Sequence, residues 1–501
     1  MKACIVLQNQ FAKIGHAVAC RLKESYGVNE FCAYVYSPRT LAFIKNQKDI
    51  NYKTILADHK LHEQYKKEKV DKEYLRQFES KYLSENPWHP LYVDRKLMMS
   101  IGPKEETTVE IDPLYCHEDL LKIFQVRARA IEKMLHEERP DFILFFPIGA
   151  IGNLLMFQIA QELGIKTLIV DFARFSNYIS ISENYRTLTG AEKIFNDNNS
   201  RKGGSNQYAE QALRLIDNFK KTKSLDLQYV AFSEAVVHKK NILLLPRNFI
   251  RSIKYIWILT RNFKQSGRLF TYGTTNENPL RFILHKIRQK IRKTTAMKNL
   301  TSAPVPGEDY AFYALHYEPE MATLLLSPFY FDQLELIRYL ARSLPLYFKL
   351  YVKEHPAMRG KRPRKFYKEM LKIPNVRLID QEIKSFDLIK NAKLVATISG
   401  TVGWEATLLE KPVITFGDVF FNCLSFVKRI HDIEMLPRLV RQQLEQFNYE
   451  KREVVNLTAA IIEDSFQFDW NALWYENDAE KLKINPQVNI FCQRLMAKAR
   501  N

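Results

Sequence analysis

The chain has 501 residues, 46% of them hydrophobic, and its 75 Lys and Arg against 56 Asp and Glu give a formal charge of +19. This length and apolar content exclude a small disulfide scaffold and a disordered chain, and at about 100 to 200 residues per domain they predict two or three domains. The six cysteines form no CxxC pair and no regular spacing. They therefore offer no zinc site and favour a reducing, cytoplasmic environment.

Residues 1–238 are predicted to form an α/β domain. Residues 3–7 form an apolar strand, too short for the hydrophobic region of a signal peptide. The charged residues 58–82 have helical spacing and predict a solvated helix. The uncharged run 142–160 approaches the length of a membrane span, but Pro and Gly residues interrupt it. A strand, a turn and a helix explain this run better and, with a strand at 166–170, predict a βαβ unit of a parallel sheet.

The positive charge is concentrated in residues 239–304. Fifteen Lys and Arg residues stand there against Glu277 alone, so the segment carries +14 of the +19. Aromatic and aliphatic residues alternate with the cations, and residues 280–293 have the spacing of a basic amphipathic helix. Such a helix suits an anionic membrane surface, where each Lys or Arg contributes about 1 kcal/mol. A solvated linker and a groove for a polyanionic glycan are the alternatives, and nucleic acid is disfavoured because no recognition motif accompanies the charge.

A second series of strands and helices is predicted over residues 305–425, followed by a mainly helical region at 426–501. Two α/β halves separated by an irregular basic stretch predict a two-domain enzyme with a cleft between its domains. In the second half, three strands end in loops that contain residues suited to chemistry. Ligands of open parallel sheets bind at the carboxyl ends of the strands, so these loops are expected to converge on one site.

The sharpest of the three signals is the turn Ser399-Gly400-Thr401, where an apolar strand ends and a helix begins. The first N–H groups of a helix lack internal partners and lie at the positive end of its dipole, so they can bind an anionic phosphate. The hydroxyls of Ser399 and Thr401 add donors, and Glu405, one turn into the helix, can accept hydrogen bonds from a ribose. The structural alternative is that Thr401 caps the helix and Gly400 permits close packing.

A His-Pro pair forms the second signal. His355 and Pro356 follow a predicted strand, and His355 can donate to a departing phosphate while Lys353 balances the charge of that phosphate. The structural alternative for His355 is a helix cap. Another such pair, His89-Pro90, follows no predicted strand and is given little weight.

The third signal combines an imidazole with two carboxylates. His316, Glu318 and Glu320 follow the first strand of the second half. Side chains of these types can perform acid–base or nucleophilic work at a sugar carbon. The structural alternative is a surface loop in which both carboxylates are solvated.

Taken together, these motifs resemble the capsule polysaccharide biosynthesis family, which includes the bacterial β-Kdo transferases. The resemblance spans about residues 309 to 420. It rests on ALHYEPE at 314–320, VKEHP at 352–356, ISGTVGWEA at 398–406 and KPVITFG at 411–417. It implies the GT-B fold, in which two Rossmann-like domains face a central cleft and the C-terminal helices cross back to the first domain.

The resemblance also implies a glycosyltransferase. The implied reaction takes Kdo or a related acid sugar from a CMP-linked donor to a growing, lipid-linked bacterial surface polysaccharide. The expected partners are the nucleotide sugar, a glycan or glycolipid acceptor and the inner face of the cytoplasmic membrane. No Asp-x-Asp motif occurs, which agrees with a metal-independent site that uses no cofactor besides the donor. A nucleotide-sugar 2-epimerase and a non-enzymatic capsule assembly or export factor are the alternative functions.

In CMP-sugar transferases of this kind, a His-Pro motif and hydroxyls at a helix N-terminus hold the phosphate. The family role therefore falls on His355 with Pro356, and on Ser399 with Thr401. Glu320 is expected to act as nucleophile or base at the anomeric centre, and the acceptor to enter from the first domain near Arg174 or the turn at Gly149. Family members carry Gln and an acidic residue, usually Asp, at the positions of His316 and Glu320, so this sequence leaves the donor open.

Overall fold

The structure is a computed structural model that describes residues 1–8, 11–83, 86–98, 115–200, 206–225, 257, 279–476 and 478–500. Within these residues the chain forms two α/β domains, each built on a single sheet. Apolar residues alternate to both faces of each sheet and are buried on both, as expected of parallel strands covered by helices on either side.

The N-terminal domain has a seven-stranded sheet. Its strands are β1 Lys2–Leu7, β2 Glu30–Val35, β3 Tyr52–Ala57, β4 Phe142–Phe145, β5 Lys166–Phe172, β6 Tyr178–Ser182 and, from the far end of the chain, β13 Phe466–Gln467. They lie in the order β13-β6-β5-β4-β1-β2-β3. The five strands from β5 to β3 are parallel, and β6 and β13 extend the sheet in antiparallel orientation. The parallel part has the strand order of a Rossmann-like domain.

Ten helices are described for this half of the chain. They are α1 Phe11–Tyr26, α2 Pro38–Lys45, α3 Asp58–Gln64, α4 Lys72–Tyr82, α5 His89–Val93, α6 Arg95–Met98, α7 His117–Glu138, α8 Ile151–Glu162, α9 Thr189–Ser200 and α10 Ala209–Thr222. The run at 142–160 divides into β4 and α8, as its Pro and Gly residues predicted. Among the described residues no helix has the length and apolar character needed to cross a bilayer.

The C-terminal domain has a six-stranded sheet in which every strand is parallel to its neighbours. Its strands are β7 Tyr310–Ala314, β8 Lys349–Lys353, β9 Val376–Ile379, β10 Leu394–Thr397, β11 Val413–Thr415 and β12 Val427–Arg429. They lie in the order β12-β11-β10-β7-β8-β9. The strand order reverses between β7 and β10, and ligands of such sheets bind at this switch point.

Most helices of this part of the chain connect successive strands, while the first precedes the sheet and the last follows it. They are α11 Pro279–Thr295, which precedes β7, then α12 Met321–Leu326, α13 Gln333–Ser343, α14 Arg364–Met370, α15 Ser385–Asn391, α16 Thr401–Leu408 and α17 Leu436–Glu445. A short 3-10 turn, Pro356–Met358, follows β8. The edge strand β12 and α17 lie beyond residue 425 but complete this sheet and its cover.

The last helices return to the N-terminal domain. They are α18 Lys451–Asp464, α19 Trp470–Tyr475, α20 Ala479–Lys483 and α21 Pro486–Arg500. Trp470 and Phe491 are buried in the core that covers one face of the N-terminal sheet. The predicted fold class is thereby confirmed: two Rossmann-like domains in the GT-B arrangement, with C-terminal helices that cross back.

The prediction of one solvated helix over residues 58–82 is wrong. The chain forms α3 and α4 instead, with a break at which Asp71 caps α4 by accepting from Tyr74 N at 3.0 Å. The start of α3 is buried, because Asp58 pairs with Arg127 of α7 through Nε and Oδ1 at 2.9 Å. A charged residue that finds such a partner can enter the interior, and the partner lies too far along the chain for local patterning to reveal it.

Part of the basic segment 239–304 is described. The predicted amphipathic helix is confirmed as α11, while residues 239–278, apart from Trp257, lie outside the described residues. Arg364 donates from Nη1 to the carbonyl oxygens of Thr295 and Lys298, at 2.9 and 2.8 Å, and so fixes the C-terminal end of α11.

Candidate functional site

The three predicted loops converge at the switch point of the C-terminal sheet. They follow β7, β8 and β10, which are neighbours in the sheet. His316, after β7, places Nε2 3.3 Å from the backbone N of Ser399 and 3.2 Å from Oγ1 of Thr397, at the end of β10. His355, after β8, is close enough to lower the pKa of His316 electrostatically. The parallel order of the strands therefore unites residues about 80 positions apart in the chain.

The turn at 399–401 leaves the first turn of α16 without a side-chain cap. The N-cap residue is Gly400, which has no side chain, so the alternative that Thr401 caps this helix is wrong. A Cβ at Gly400 would lie 2.9 Å from Thr397 Oγ1 and 3.1 Å from His316 Nε2, so only glycine fits without displacing them. The start of α16 thus keeps backbone donors for an anion, at the positive end of the helix.

His316 holds this turn in place. Its ring is buried, and burial, followed by the charges of His355 and Arg362, lowers its pKa to about 3, so the ring is neutral near pH 7. Since Nε2 accepts from the N–H of Ser399, the hydrogen-bond network assigns the proton to Nδ1. Nδ1 is buried and has no hydrogen-bond partner among the described residues. The predicted catalytic role of His316 remains a prediction, while its contact with the turn is structural.

His355 both caps a turn and keeps a donor. Its Nδ1 accepts from the N–H of Ala357 at 3.1 Å, which confirms the cap alternative for the turn Pro356–Met358. Burial lowers the pKa of the half-buried imidazole, although the carboxylate of Glu354 opposes that shift. In the neutral ring the proton is therefore on Nε2, which can donate to a ligand. Pro356 itself is exposed.

Glu318 is not solvated, so the surface-loop alternative is wrong for this residue. It is buried against Arg362, with Oε2 2.6 Å from Nη2. The same guanidinium bonds Glu354 and donates to the carbonyl oxygen of His316 at 2.8 Å. Arg362 thus ties the loop after β7 to the loop after β8. Arg362 lies in a basic loop without periodicity or motif, so no local pattern in the sequence points to it.

Glu320 is the N-cap residue of α12, and the charges that act on it come from Arg174 and Arg95 of the N-terminal domain. Burial raises the pKa of its carboxyl, and the positive charges of Arg174 and Arg95 oppose that rise. Arg174 has a left-handed backbone, with φ of 62°, in the loop between β5 and β6. A carboxyl whose pKa is raised toward neutrality is suited to accept a proton.

A small cavity of about 30 Å³ lies between the turn at 399–401 and the N-terminal domain. Arg174 and Arg186 line its N-terminal side, and Asp418 lies beside the turn on the other side. The full lining is Asp171, Phe172, Arg174, Tyr185, Arg186, Thr187, Leu188, Leu326, Ser399, Gly400, Thr401, Asp418, Val419, Phe420 and Phe421. Each guanidinium lies beside a carboxylate, Arg174 3.7 Å from Asp171 and Arg186 3.8 Å from Asp418, so the cavity has charges of both signs beside the positive end of α16.

Lys353 and Glu405 interact electrostatically beside this turn. Lys353 is buried and donates from Nζ to Ser385 Oγ at 3.1 Å. Burial raises the pKa of the Glu405 carboxyl to about 7, although the charge of Lys353 opposes that rise. Burial likewise lowers the pKa of Lys353. Glu405 therefore changes its ionisation near neutral pH.

Among the described residues, His16, Cys20 and Asp49 are close enough together to be considered as metal ligands. Lys483 Nζ lies 2.6 Å from Asp49 Oδ2, and its positive charge opposes a cation. Burial raises the pKa of the Cys20 thiol to about 11, which disfavours the thiolate. The ion pair between Asp49 and Lys483 accounts for the arrangement of these residues.

Residues 268–436 match the family described as capsule polysaccharide biosynthesis protein. The match spans about a third of the chain. The matched residues include each loop of the candidate site, so the resemblance carried by the three motifs is confirmed. Over 89 residues, or 17% of its length, the chain is also 40% identical to Protein FixF of Sinorhizobium fredii, of which the match spans 20%.

Two solved structures are similar to this chain at low identity. The beta Kdo 2,7 transferase KpsC of Thermosulfurimonas dismutans is 13% identical, with 72% of this chain and 90% of that chain covered and a TM-score of 0.36. The UDP-GlcNAc 2-epimerase of Methanocaldococcus jannaschii is also 13% identical, with 92% and 98% covered and a TM-score of 0.25.

Proposed function

We propose that the protein is a glycosyltransferase of surface polysaccharide synthesis that takes its sugar from a nucleotide sugar. The observation that carries this proposal is the uncapped start of α16, held by His316 and facing a cavity lined by Arg174 and Arg186. A nucleotide phosphate bound there would meet backbone N–H groups, the hydroxyls of Ser399 and Thr401, and the Nε2 donor of His355.

In the proposed reaction the bond between the anomeric carbon and the phosphate oxygen breaks, and its electron pair stays on the phosphate. The helix dipole and His355 stabilise that charge, so no metal or other cofactor is invoked. A bond forms from an acceptor hydroxyl to the sugar, and Glu320 serves as the base that takes the hydroxyl proton or as the nucleophile of a two-step reaction. The nucleotide and the glycosylated acceptor are the products.

For the donor we propose a CMP-linked acid sugar such as Kdo. The carboxylate of such a sugar would lie near the phosphate, and the guanidinium groups of Arg174 and Arg186 suit a second negative charge in the cavity. The acceptor would approach from the N-terminal domain, near Arg174. In this proposal Lys353 and Glu405 contact the nucleotide from the other side of the turn.

Calorimetry with CMP, UDP and GDP tests the proposal first. CMP is expected to bind most tightly, and wild-type protein that binds none of the three would contradict the phosphate site. Incubation with a panel of CMP-, UDP- and GDP-sugars then separates the functions. Nucleotide release that depends on an acceptor supports transfer, an epimerised nucleotide sugar indicates a 2-epimerase, and no turnover at all indicates an assembly or export factor.

CMP affinity is expected to fall about fivefold as the pH is lowered from 8 to 6. Above pH 7 the ionised Glu405 carboxylate accepts hydrogen bonds from the ribose, and below pH 7 its protonation weakens them. Calorimetry at several pH values measures this change. A Glu405→Gln variant should retain only the dependence due to the phosphate of CMP, and an unchanged pH dependence in that variant would contradict the ribose contact.

We further propose that α11 lies on the anionic inner face of the cytoplasmic membrane. Leu284, Ile287 and Ile291 recur at helical spacing on this helix, and their side chains are 53%, 51% and 55% exposed. Exposed cations, including Lys290 and Lys293, stand on the same helix. An apolar stripe flanked by positive charge is suited to the boundary between acyl chains and anionic headgroups. A lipid-linked acceptor would be present at that surface.

Vesicle flotation tests this placement. The wild-type chain is expected to float with vesicles that contain phosphatidylglycerol and to detach as salt is raised, because the attraction is largely electrostatic. Replacing Leu284, Ile287 and Ile291 together by Ser should abolish flotation. Leu346→Ser, which removes another exposed apolar side chain, is the matched control and should float normally. Wild-type protein that never floats with anionic vesicles would remove the membrane proposal.

A further inference from the structure

The loop that carries Glu320 is held by two side chains of the N-terminal domain. Arg95, the first residue of α6, donates from Nη1 to the carbonyl oxygen of Pro319 at 2.9 Å. His89, the first residue of α5, places Nε2 3.3 Å from the carbonyl oxygen of Leu324. The N-terminal domain thus contacts the loop on both sides of Glu320. One of the two contacts comes from the pair His89-Pro90, which follows no predicted strand.

Apolar packing reinforces these contacts. Leu324 and Leu325 of α12 are buried in the core that covers one face of the N-terminal sheet. α5 packs directly against α12. Asp94, between α5 and α6, accepts from the N–H of Ile151 at 3.3 Å and so joins this pair of helices to the start of α8. α12 therefore packs as part of the N-terminal domain, although the chain on either side of it belongs to the C-terminal domain.

The two ends of the same loop are fixed to the C-terminal domain beside the phosphate turn. At one end, His316 contacts Ser399, and its own carbonyl is held by Arg362. At the other end, Ser327 Oγ donates to the carbonyl oxygen of Phe416 at 2.8 Å. The N–H of Asp418 donates to the carbonyl oxygen of Leu326 at 2.9 Å. The position of Glu320 relative to the turn is therefore set by contacts from both domains.

The charges that act on Glu320 also come from the N-terminal domain. They are Arg95 from α6 and Arg174 from the loop after β5. Asp171, Arg186 and Asp418 line the adjoining cavity. Of the two residues that contact the loop, His89 is buried, and burial lowers its pKa to about 4, so this imidazole stays neutral at assay pH. Removing Arg95 would remove both a hydrogen bond to the loop and a positive charge near the carboxylate.

We propose that His89 and Arg95 are positioning residues for Glu320, through which the N-terminal domain sets the place of the reacting carboxylate beside the phosphate turn. This inference rests on the proposed function, in which Glu320 reacts at the anomeric carbon. It makes the place of Glu320 depend on His89 and Arg95, whereas neither residue belongs to the proposed nucleotide site.

The test uses the full chain with CMP-Kdo as the turnover probe and CMP as the binding probe. Arg95→Met should lower kcat for CMP release about tenfold and leave CMP affinity unchanged. Measured at saturating donor, the acid limb of its kcat–pH profile should move to higher pH, because a charge that lowers the Glu320 pKa is gone. Arg95→Lys, which keeps the charge, should restore the limb. Arg76→Met, which removes an exposed arginine of α4, is the matched control.

Hydrogen exchange supplies a readout independent of turnover. In Arg95→Met and His89→Ala, amides of residues 319–327 should exchange faster than in the wild-type chain, while those of 394–401 should not change. The inference would be overturned if both variants exchanged the amides of 319–327 at the wild-type rate. It would also be overturned if kcat fell while the acid limb stayed in place. If the wild-type chain releases no CMP from CMP-Kdo, the proposed donor is wrong. If Glu320→Gln retains turnover, the proposed base is wrong. In either case the exchange pattern still decides whether His89 and Arg95 hold the loop.

Discussion

Replacing His355 by Ala is expected to lower sugar transfer about 100- to 1,000-fold while the chain remains folded. Nδ1 of this imidazole is occupied by the N–H of Ala357, so the neutral ring has its only donor, Nε2–H, available for the departing phosphate. Losing a donor placed at developing negative charge has an effect of about this size. Nucleotide release from CMP-Kdo in the presence of acceptor measures the change.

A second variant separates the donor from the cap. His355→Asn can still accept from the N–H of Ala357 through its side-chain oxygen, so it should recover the roughly 1 kcal/mol of stability that the Ala variant loses with the cap. It places no donor where Nε2 was and should be as inactive as the Ala variant. His431→Ala, an exposed histidine of the same domain, is the control. Undiminished turnover in either His355 variant would rule out the proposed role.

Replacing Arg362 by Met is expected to destabilise the C-terminal domain by about 3 to 5 kcal/mol. Its fully buried guanidinium is the shared partner of Glu318 and Glu354, and its removal leaves two carboxylates in the interior without a counter-charge. The carbonyl oxygen of His316 loses a donor as well. Equilibrium unfolding in urea measures the loss.

Neutralising the carboxylates provides the decisive comparison. Adding Glu318→Gln and Glu354→Gln to Arg362→Met should recover part of the stability, because the uncompensated charges are then gone. Arg359→Met, which breaks an exposed pair with Glu382, should change the free energy of unfolding by less than about 0.5 kcal/mol. A similar effect of Arg359→Met and Arg362→Met would show that burial of the network contributes nothing.

The strands and the turns that follow them could be predicted from local patterns. Apolar runs ending at small or polar residues identified the strands before His316, His355 and Ser399, because strand periodicity and Gly-permitted turns are properties of a few neighbouring residues. The alternation of strands and helices then implied parallel sheets, and the ends of parallel strands meet at one edge. That is why three loops from one half of the chain could be expected to converge.

Burial of charge could not be predicted in this way. Residues 58–82 looked solvated because they are rich in charge, yet Asp58 is buried against Arg127 of a distant helix. Glu318 looked like a surface carboxylate, yet Arg362 compensates it in the interior. Whether a charge can be buried depends on a partner placed by the fold, and the chain separation between partners carries no periodic signal.

The strand and helix pattern of the C-terminal half, the strand-to-helix turn at Ser399 and the concentration of positive charge in residues 239–304 could all be derived from the sequence, since each follows from neighbouring residues. The tertiary structure alone decided which groups surround that turn. In the folded chain His316 contacts Ser399, and Arg174 and Arg186 lie across the cavity from the turn. His89 and Arg95 contact the loop that carries Glu320. The contact of His316 is made within the C-terminal domain by the order of its strands, whereas the contacts of the two cavity arginines, His89 and Arg95 depend on the packing of one domain against the other.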